Sequence, residues 1–364
     1  MAKATRVAVG LSGGMDSAMA AWLLQQAGYE VTGITLKLWP QHGKREPDDL
    51  VSRAAAVCDK LQIPHEVVGH TDTFRTCVVD PFLQQYANGR TPSPCLTCNR
   101  YIKFGVMVEE ARRHGCAALA TGHYARVEQL PNGWRCIVRG NDSSKDQSYF
   151  LARLVQNQLY AAVFPLGQWT KTSVREKVHE LGLVEKRRSE SQDLCFVPDG
   201  DYARFLRNRQ SELPGQGQIV DGSGQVLGTH KGFFHYTIGQ RRGLGLGGGP
   251  WYVVNILPRR NRVVVGPREA LHRRDCVAED VNWMRPHLAP GESLAADVQL
   301  RYRMRAVPGR VHALEGRRVR IQLDTPVFAV TPGQAAVFYD GKRVVGSAWL
   351  QGTVSPDEGA SEHC

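Results

Sequence analysis

The chain has 364 residues, of which 42% are hydrophobic, so length and composition predict two or three domains with apolar cores. No apolar run approaches the roughly 18 residues that span a membrane, and the N-terminus lacks the charged start and apolar core of a signal peptide. We therefore exclude a membrane protein and expect a cytosolic one, in which nine cysteines favour thiol chemistry or metal binding over a disulfide scaffold.

The net charge of +11 is concentrated in the second half of the sequence. Residues 201–352 contain 22 Lys and Arg against 12 Asp and Glu, whereas residues 1–200 contain 24 against 20. An arginine-rich surface suits a phosphate backbone, because the planar guanidinium binds phosphate through two hydrogen bonds. The charge therefore favours a nucleic-acid partner, and a merely solvated basic surface is the alternative.

Strand and helix patterns alternate over residues 1–125. This alternation is typical of an α/β fold with a parallel sheet covered by helices on both faces. Apolar runs predict strands at 6–11, 31–38, 65–68 and 117–121, and helical spacing predicts helices at 15–27, 47–61, 72–87 and 100–114. Beyond them we expect a hairpin at 125–130 and 134–139 and helices at 151–163 and 172–182.

From about residue 205 the pattern changes to frequent Gly and Pro with short alternating runs, which predicts small β domains. The runs lie at 253–257, 262–265 and 317–323. We therefore expect a catalytic domain over 1–204, a central β-rich domain over 205–275, a C-terminal β-barrel over 278–352 and a disordered tail over 353–364.

The first predicted strand runs into a glycine turn, a carboxylate and a helix, which together predict a phosphate site. Gly13 and Gly14 let backbone N–H groups approach an anion, Ser12 and Ser17 add hydroxyl donors, and the helix directs its positive end to the same point. Asp16 suggests a divalent cation, Mg²⁺, that bridges the carboxylate to the phosphates. No P-loop lysine and no G-x-G-x-x-G is present, and an ordinary strand–turn–helix corner is the alternative.

A second candidate site lies at 90–99, where two prolines lead into Cys95-Leu96-Thr97-Cys98-Asn99. We expect Cys98 to open a helix, and the helix dipole, Arg100 and Lys103 would then lower its thiol pKa and make it a nucleophile. The C-x-x-C spacing alternatively suggests half of a zinc site, but the remaining cysteines are scattered.

Two further segments carry candidate residues. Cys195 lies between polar residues 189–193 and the apolar pair Phe196-Val197, which suggests a partly exposed thiol, and a buried filler is the alternative. Residues 145–151 combine Lys145, Gln147 and two aromatic rings and suit phosphate contact and base stacking. In the same segment, Asp146 fits a helix cap equally well.

The turn at 12–17 resembles the PP-loop of N-type ATP pyrophosphatases, and further motifs resemble the tRNA 2-thiouridylase family over the chain to about residue 350. An ordered set of this kind is specific even though each piece is weak alone. The motifs are 10–17, 91–94 leading to Cys98-Asn99 and 102–104, 120–125, 145–149, 191–196, 232–243 and 301–303.

The resemblance implies a parallel-sheet ATP pyrophosphatase domain and a role for each matching residue. Cys98 would be the nucleophile, and Cys195 would carry a persulfide received from an upstream sulfur-relay protein. ATP would be held by Gly10, Leu11, Ser12, Gly13, Gly14, Met15, Asp16, Ser17, Leu36 and Gly122. tRNA would contact His123, Lys145, Asp146, Gln147, Arg301, Tyr302 and Gln334.

The implied reaction replaces the C2 oxygen of the wobble uridine with sulfur, giving AMP and pyrophosphate. ATP adenylates the oxygen with magnesium on the expelled pyrophosphate, sulfur from Cys195 attacks C2, and a transient Cys98–Cys195 disulfide forms. The base must be flipped into the pocket. We expect a monomer that engages one tRNA.

The chain departs from the commoner family pattern at Ser93-Pro94-Cys95, where Asn-Pro-Asp is usual, so base recognition by this tripeptide is open. The change creates the pair Cys95-x-x-Cys98, and with Cys195 this makes three thiolates, which could alternatively hold a [4Fe-4S] cluster. Two other functions compete with thiolation: an amide-forming adenylating synthetase, and an RNA-binding protein with a vestigial nucleotide fold.

Overall fold

The computed structural model describes residues 5–39, 47–184, 194–197, 200–210 and 212–352. The first part of the chain alternates strands and helices. The strands are β1 Arg6–Gly10, β2 Glu30–Lys37, β3 His65–Gly69, β4 Ala118–Ala120, β5 Ala125–Gln129, β6 Arg135–Arg139 and β7 Ala162–Val163. The helices are α1 Met15–Gln26, α2 Pro47–Leu61, α3 Thr71–Phe74, α4 Asp80–Ala87, α5 Pro94–Cys98, α6 Met107–Arg113, α7 Ser148–Leu151, α8 Gln156–Ala161 and α9 Lys171–Glu180.

Strands β3, β2, β1, β4 and β7 lie side by side in that order, and each pair is parallel. The central strand β1 is a continuous apolar run because both of its faces are covered. Ala8 packs into the core on the side of α6, whereas Val7 and Val9 pack into the core that contains α1 and α9. The prediction of an α/β fold with helices on both faces is confirmed.

Two predicted helices begin or end differently in the structure. The helix expected at 100–114 begins at Pro94, since α5 continues through the π-helical stretch Asn99–Val106 into α6. The helix expected at 151–163 is wrong, because α7 and α8 are short and Ala162–Val163 instead pairs with β4 at the sheet edge. Parallel pairing decides this segment, and the apolar spacing in the sequence does not distinguish the two outcomes.

The second part of the chain is mainly β. After α10 Tyr202–Arg207, a mixed sheet forms from β8 Gly217–Val220, β9 Val226–His230, β10 Tyr252–Leu257 and β11 Arg262–Gly266. The remaining strands are β12 His272–Trp283, β13 Ser293–Gln299, β14 Val307–Leu314, β15 Arg318–Phe328, β16 Ala335–Asp340 and β17 Arg343–Gly352. Pairing of β12 with both β15 and β17 closes these strands into the expected barrel.

The predicted hairpin β5–β6 forms, and it also joins the two halves of the molecule. Arg343 of β17 pairs with Val138 of β6, and Arg343 forms an ion pair with Glu128 of β5. The tail at 353–364 lies outside the described residues. Among the residues that are described, no helix is both long enough and apolar enough to cross a membrane.

Candidate active site

The glycine turn joins β1 to α1 at the carboxyl end of the central strand. Gly13 has a φ of +63°, and a Cβ there would lie 2.5 Å from the Cβ of Arg53, so only glycine fits. Ser17 Oγ donates to the Gly14 carbonyl at 3.0 Å and lies 3.3 Å from Ser12 Oγ. Met15 begins α1, which places the helix's unpaired N–H groups at the turn.

Neighbouring backbone closes tightly around this turn. A Cβ on Gly122 would lie 2.6 Å from the Asp16 carbonyl carbon and 2.8 Å from the Ser17 nitrogen, and a Cβ on Gly10 would lie 2.8 Å from Met107 Sδ. Leu11 donates its N–H to Ile34 of β2 at 2.8 Å, and Leu36 lies near the end of the same strand. The structure therefore brings the residues implied for ATP, 10–17, Leu36 and Gly122, to one edge of the sheet.

Asp16 has protein partners that the sequence did not indicate. Lys171 Nζ lies 2.8 Å from each Asp16 carboxylate oxygen, and the Tyr124 hydroxyl donates to Oδ1 at 2.8 Å. Lys171 is 8% exposed and stands at the start of α9. The carboxylate expected to face Mg²⁺ is thus already neutralised by an ammonium, so these residues do not form an open Mg²⁺ site.

The structure also brings the three predicted thiols together. Cys95 and Cys98 lie on α5, and the negative charge of a Cys195 thiolate acts on Cys98, as that of Cys95 acts on Cys195. The residues Cys95 and Cys195 are exposed, and Cys98 is half-buried. Residues 189–193, which precede Cys195 in its motif, lie outside the described part of the chain.

The expected low pKa of Cys98 is wrong. Burial raises its thiol pKa to about 12, and the nearby Lys103 ammonium lowers it by less than burial raises it. Cys98 does not open the helix, because the continuous helix begins at Pro94 and Cys98 lies four residues further along it. Crowding by protein atoms likewise raises the Cys195 pKa to about 11 and raises that of Cys95.

Lys103 and His123 connect the thiols to the glycine turn. The positive charge of Lys103 acts on Cys95, Cys98 and Cys195, and its Nζ lies 3.4 Å from His123 Nε2. His123 directly follows Gly122, which packs against Asp16. Burial keeps the His123 pKa well below its usual value, so Nε2 is available as an acceptor while Nδ1 lies 2.7 Å from Thr121 Oγ1.

The implied tRNA residues at 145–147 lie beside this region but make mainly internal bonds. Asp146 is 8% exposed, accepts from the Gly140 and Ser148 N–H groups at 3.1 Å, and pairs with Arg139 at 2.7 Å. Gln147 Oε1 accepts from the Tyr124 N–H at 3.0 Å, and Lys145 is half-buried. Asp146 precedes Gln147, the N-cap residue of α7, and α7 has no side-chain cap hydrogen bond, so Asp146 is not the cap that the sequence offered as an alternative.

The other implied tRNA residues lie on the barrel side. Tyr302 is 36% exposed and its ring centroid lies 4.3 Å from that of Phe150, so the two aromatic rings form an accessible platform. Arg301 precedes it and is half-buried. Gln334 Nε2 instead donates to the carbonyls of Thr91 and Pro92 at 2.8 and 3.4 Å, which ties the barrel to the segment leading into α5.

Models of protein families match nearly the whole described chain. They are described as the tRNA methyl transferase HUP domain over residues 5–199, the tRNA methyl transferase PRC-barrel domain over 203–267 and the aminomethyltransferase beta-barrel domain over 273–350.

Relatives named tRNA-specific 2-thiouridylase MnmA match over nearly the whole of this chain and of their own. The protein of Acidithiobacillus ferrooxidans is 45% identical over 95% of this chain and 98% of its own. That of Chloroflexus aggregans is 46% identical over 94% and 98%, and that of Geotalea uraniireducens is 41% identical over 97% and 96%. The chain belongs to the tRNA-specific 2-thiouridylase family.

Membership of the 2-thiouridylase family confirms the predicted resemblance, the fold class and the assignment to enzymes of tRNA 2-thiolation. The family assignment also supports ATP as a substrate. The individual site residues are not tested by it.

Sequence reasoning missed Lys171 and Tyr124 as partners of Asp16. Each is distant in sequence from Asp16, and Lys171 is one of many lysines, so no local pattern indicates either. Lys103 was expected to act on Cys98, but its contact with His123 was not foreseen, because this contact depends on the packing of the π-helical stretch Asn99–Val106 against the sheet.

Proposed function

We propose that this 2-thiouridylase family member replaces the C2 oxygen of the wobble uridine in tRNA with sulfur and converts ATP to AMP and pyrophosphate. The observation that carries the proposal is the convergence of Cys98 and Cys195, which are far apart in the chain. Residues 194–197 pack into the same core as Cys98, and Lys103 and His123 connect this region to the glycine turn.

ATP would bind at the turn between β1 and α1. Its phosphates would meet the N–H groups of Gly13 and Gly14 and the Ser12 and Ser17 hydroxyls, at the positive end of a 12-residue helix. The pairing of Lys171 with Asp16 supports this arrangement, because the ammonium removes a negative charge that would otherwise repel the nucleotide.

Activation and sulfur transfer would follow in sequence. The uracil O2 attacks the α-phosphorus of ATP and pyrophosphate leaves, which converts a poor leaving group into AMP. The terminal sulfur of a Cys195 persulfide then bonds to C2 and AMP departs. The Cys98 thiolate attacks the Cys195 sulfur, the S–S bond breaks, and a Cys98–Cys195 disulfide remains for reduction by an external thiol.

Both thiols have raised pKa values before the reaction begins. Thiols with raised pKa values are mostly protonated at neutral pH, which protects them from oxidation before tRNA arrives. The positive charge of Lys103 acts on both thiols. It would stabilise the Cys98 thiolate for its attack on Cys195.

The alternative [4Fe-4S] cluster would take Cys95, Cys98 and Cys195 as ligands, each to a different iron. Within the described residues, no three His, Cys, Asp or Glu side chains form a site for a single metal ion. An anaerobic iron and sulfide assay on the purified protein tests this alternative directly, since a cluster would give stoichiometric iron and sulfide.

Two variants separate the half-reactions. Cys195→Ser should still release pyrophosphate in the presence of tRNA and ATP but insert no sulfur. Asp16→Ala should abolish pyrophosphate release, because the carboxylate that positions Lys171 and Tyr124 at the turn is lost. If both variants still thiolate tRNA, the proposal is wrong.

The same experiment distinguishes the competing functions. An amide-forming synthetase would retain full turnover in Cys98→Ser and Cys195→Ser, and an RNA-binding protein would release no pyrophosphate at all. Mass spectrometry of the tRNA nucleosides separates exchange of oxygen for sulfur from addition of a methyl group. A protein persulfide donor, a cytosolic location and a monomeric state stay predictions.

A further inference from the structure

A cavity of about 260 Å³ lies between the first domain and the barrel, beside the thiols. We call it the interdomain cavity. One wall comes from α4, α5 and the residues after α5, and the other from β12 and β17. Its base includes Ser93 and Pro94, in the tripeptide where this chain departs from the commoner family pattern.

Helix α5 separates the cavity from the thiol centre. Pro94 and Thr97 line the cavity, whereas Cys95 and Cys98 carry the electrostatic coupling to Cys195. Successive residues of a helix point about 100° apart, so these pairs occupy adjoining faces. Anything bound in the cavity would therefore lie across α5 from Cys95 and Cys98.

Several buried polar atoms at the cavity have no hydrogen-bond partner within the described chain. Three are donors, Arg100 Nη1, Arg153 Nε and Gln351 Nε2, and one is an acceptor, Gln85 Oε1. Arg90 donates to Gln351 Oε1 at 2.7 Å, which fixes the orientation of that amide. An unpaired buried polar atom costs about 1–3 kcal/mol, so a polar ligand in the cavity would lower the free energy if these side chains turned toward it.

Cationic side chains outnumber anionic ones at the cavity, since Arg90, Arg100 and Arg153 line it together with Glu279 and Asp280. Arg153 is only 2% exposed and is paired with Asp280, whose carboxylate it shares with Arg317. Arg100 is close enough to lower the pKa of Arg153, and its guanidinium lies 5.4 Å above the Tyr101 ring. A ligand with carbonyl or phosphate oxygens would relieve this repulsion.

Aromatic rings flank the polar atoms. Tyr101 is 47% exposed at the cavity, and the Trp349 ring lies 5.2 Å from the guanidinium carbon of Arg153. Flat hydrophobic faces beside donors and an acceptor are typical of sites that stack an unpaired base and bond its edge. The volume is below the roughly 300–1,000 Å³ of pockets for drug-sized ligands and suits a single base.

We propose that the interdomain cavity binds the base of a tRNA nucleotide adjacent to the target uridine, with Arg100, Gln351 and Gln85 bonding its edge and Tyr101 stacking on its face. The inference rests on the proposed function, since it takes tRNA as the substrate. It assigns to these residues a specificity role that is separate from ATP binding and from sulfur transfer.

The test is a binding cycle with the full-length protein and a tRNA assembled by ligation. One tRNA carries an abasic nucleotide on the 5′ side of the target uridine and another carries it on the 3′ side. Dissociation constants are measured for the wild type, Arg100→Gln, Arg100→Lys and Gln351→Leu. The exposed Arg112 on α6 provides the matched control Arg112→Gln, which removes the same charge outside the cavity.

For the wild type, removal of one of the two neighbouring bases should weaken tRNA binding roughly tenfold. Arg100→Gln and Gln351→Leu should bind intact tRNA about tenfold more weakly and lose no further affinity for that abasic tRNA, while ATP binding is unchanged. Arg112→Gln should lose as much affinity for the abasic tRNA as the wild type does. Arg100→Lys should show part of this loss.

The inference would be overturned if the cavity variants and each abasic nucleotide weakened tRNA binding independently, so that their effects on the dissociation constant simply combined. The inference would also fail if Arg100→Gln bound tRNA as tightly as the wild type and both proteins bound free uridine and cytidine monophosphates equally well. Circular dichroism melting identifies a variant that fails to fold, in which case the Gln351→Leu cycle decides. Failure of the proposed function would look different, because the wild type would then not thiolate tRNA.

Discussion

The glycine turn and the thiol centre are built at very different ranges along the chain. The turn is contiguous over residues 10–17, and its glycines and serines bond mainly to one another and to adjacent strands. The thiol centre joins Cys98, in the helix that begins at Pro94, to Cys195, which lies about a hundred residues further along the sequence. A local motif is enough to predict the glycine turn, whereas the thiol centre forms only when the domain folds.

The largest expected effect is at the turn, where backbone packing leaves no room for a side chain. Gly122→Val should reduce ATP-dependent pyrophosphate release by about a hundredfold, because a Cβ would lie 2.6 Å from the Asp16 carbonyl carbon. Gly215→Ala is the control, since a Cβ there meets nothing within 4 Å. Unchanged release by Gly122→Val would mean that the turn is not the nucleotide site.

The next largest effect is expected from Lys171, which pairs with Asp16 of the turn from far along the chain. Lys171→Met should raise the KM for ATP about tenfold, because an unneutralised Asp16 carboxylate repels the phosphates. Lys177→Met removes a charge from the same helix, where the ammonium pairs with Glu180 at 2.8 Å, and should leave the KM within about twofold. An unchanged KM in Lys171→Met would assign this lysine a purely structural role.

The thiol centre can be tested by its pH dependence. Alkylation of Cys98 by iodoacetamide should be slow at neutral pH and rise about tenfold per pH unit, because burial holds its thiol pKa at about 12. Lys103→Met should slow alkylation several-fold at fixed pH, since the cation that lowers the pKa is gone. Peptide mapping by mass spectrometry measures the rate at this cysteine.

The control for that series is Lys342→Met, which removes an exposed lysine on the barrel. It should leave the alkylation rate of Cys98 unchanged. A rate that levels off near pH 8 in the wild type would show that the Cys98 pKa is low, as the sequence first suggested.

The smallest effect concerns the contact between the barrel and the segment before α5. Gln334→Ala removes donors to the carbonyls of Thr91 and Pro92 and should lower the free energy of unfolding by about 1 kcal/mol, with a few-fold loss of thiolation and no change in ATP binding. Chemical denaturation and single-turnover thiolation measure both, with Gln225→Ala as the surface control. A loss of tRNA binding alone, with unchanged stability, would instead favour direct contact of Gln334 with tRNA.

The errors of the sequence-based predictions have physical causes that differ between the two regions. The strand and helix bounds around the turn were predicted to within about two residues because apolar periodicity is local. The sequence misjudged the Cys98 thiol, since its pKa depends on desolvation by residues from several elements and not on the helix position alone. It also placed Ala162 and Val163 in a helix, because an edge strand of two residues leaves no pattern.

By itself, the sequence determined the α/β catalytic sheet, the glycine turn, the β-rich second half and, through the order of its motifs, the family. These features depend on residue type and spacing. Tertiary structure alone decided that Lys171 neutralises Asp16, that Cys95, Cys98 and Cys195 meet near Lys103, and that the barrel closes a cavity beside them. Such contacts join residues far apart in the chain, and their energies depend on burial and distance, which no linear pattern encodes.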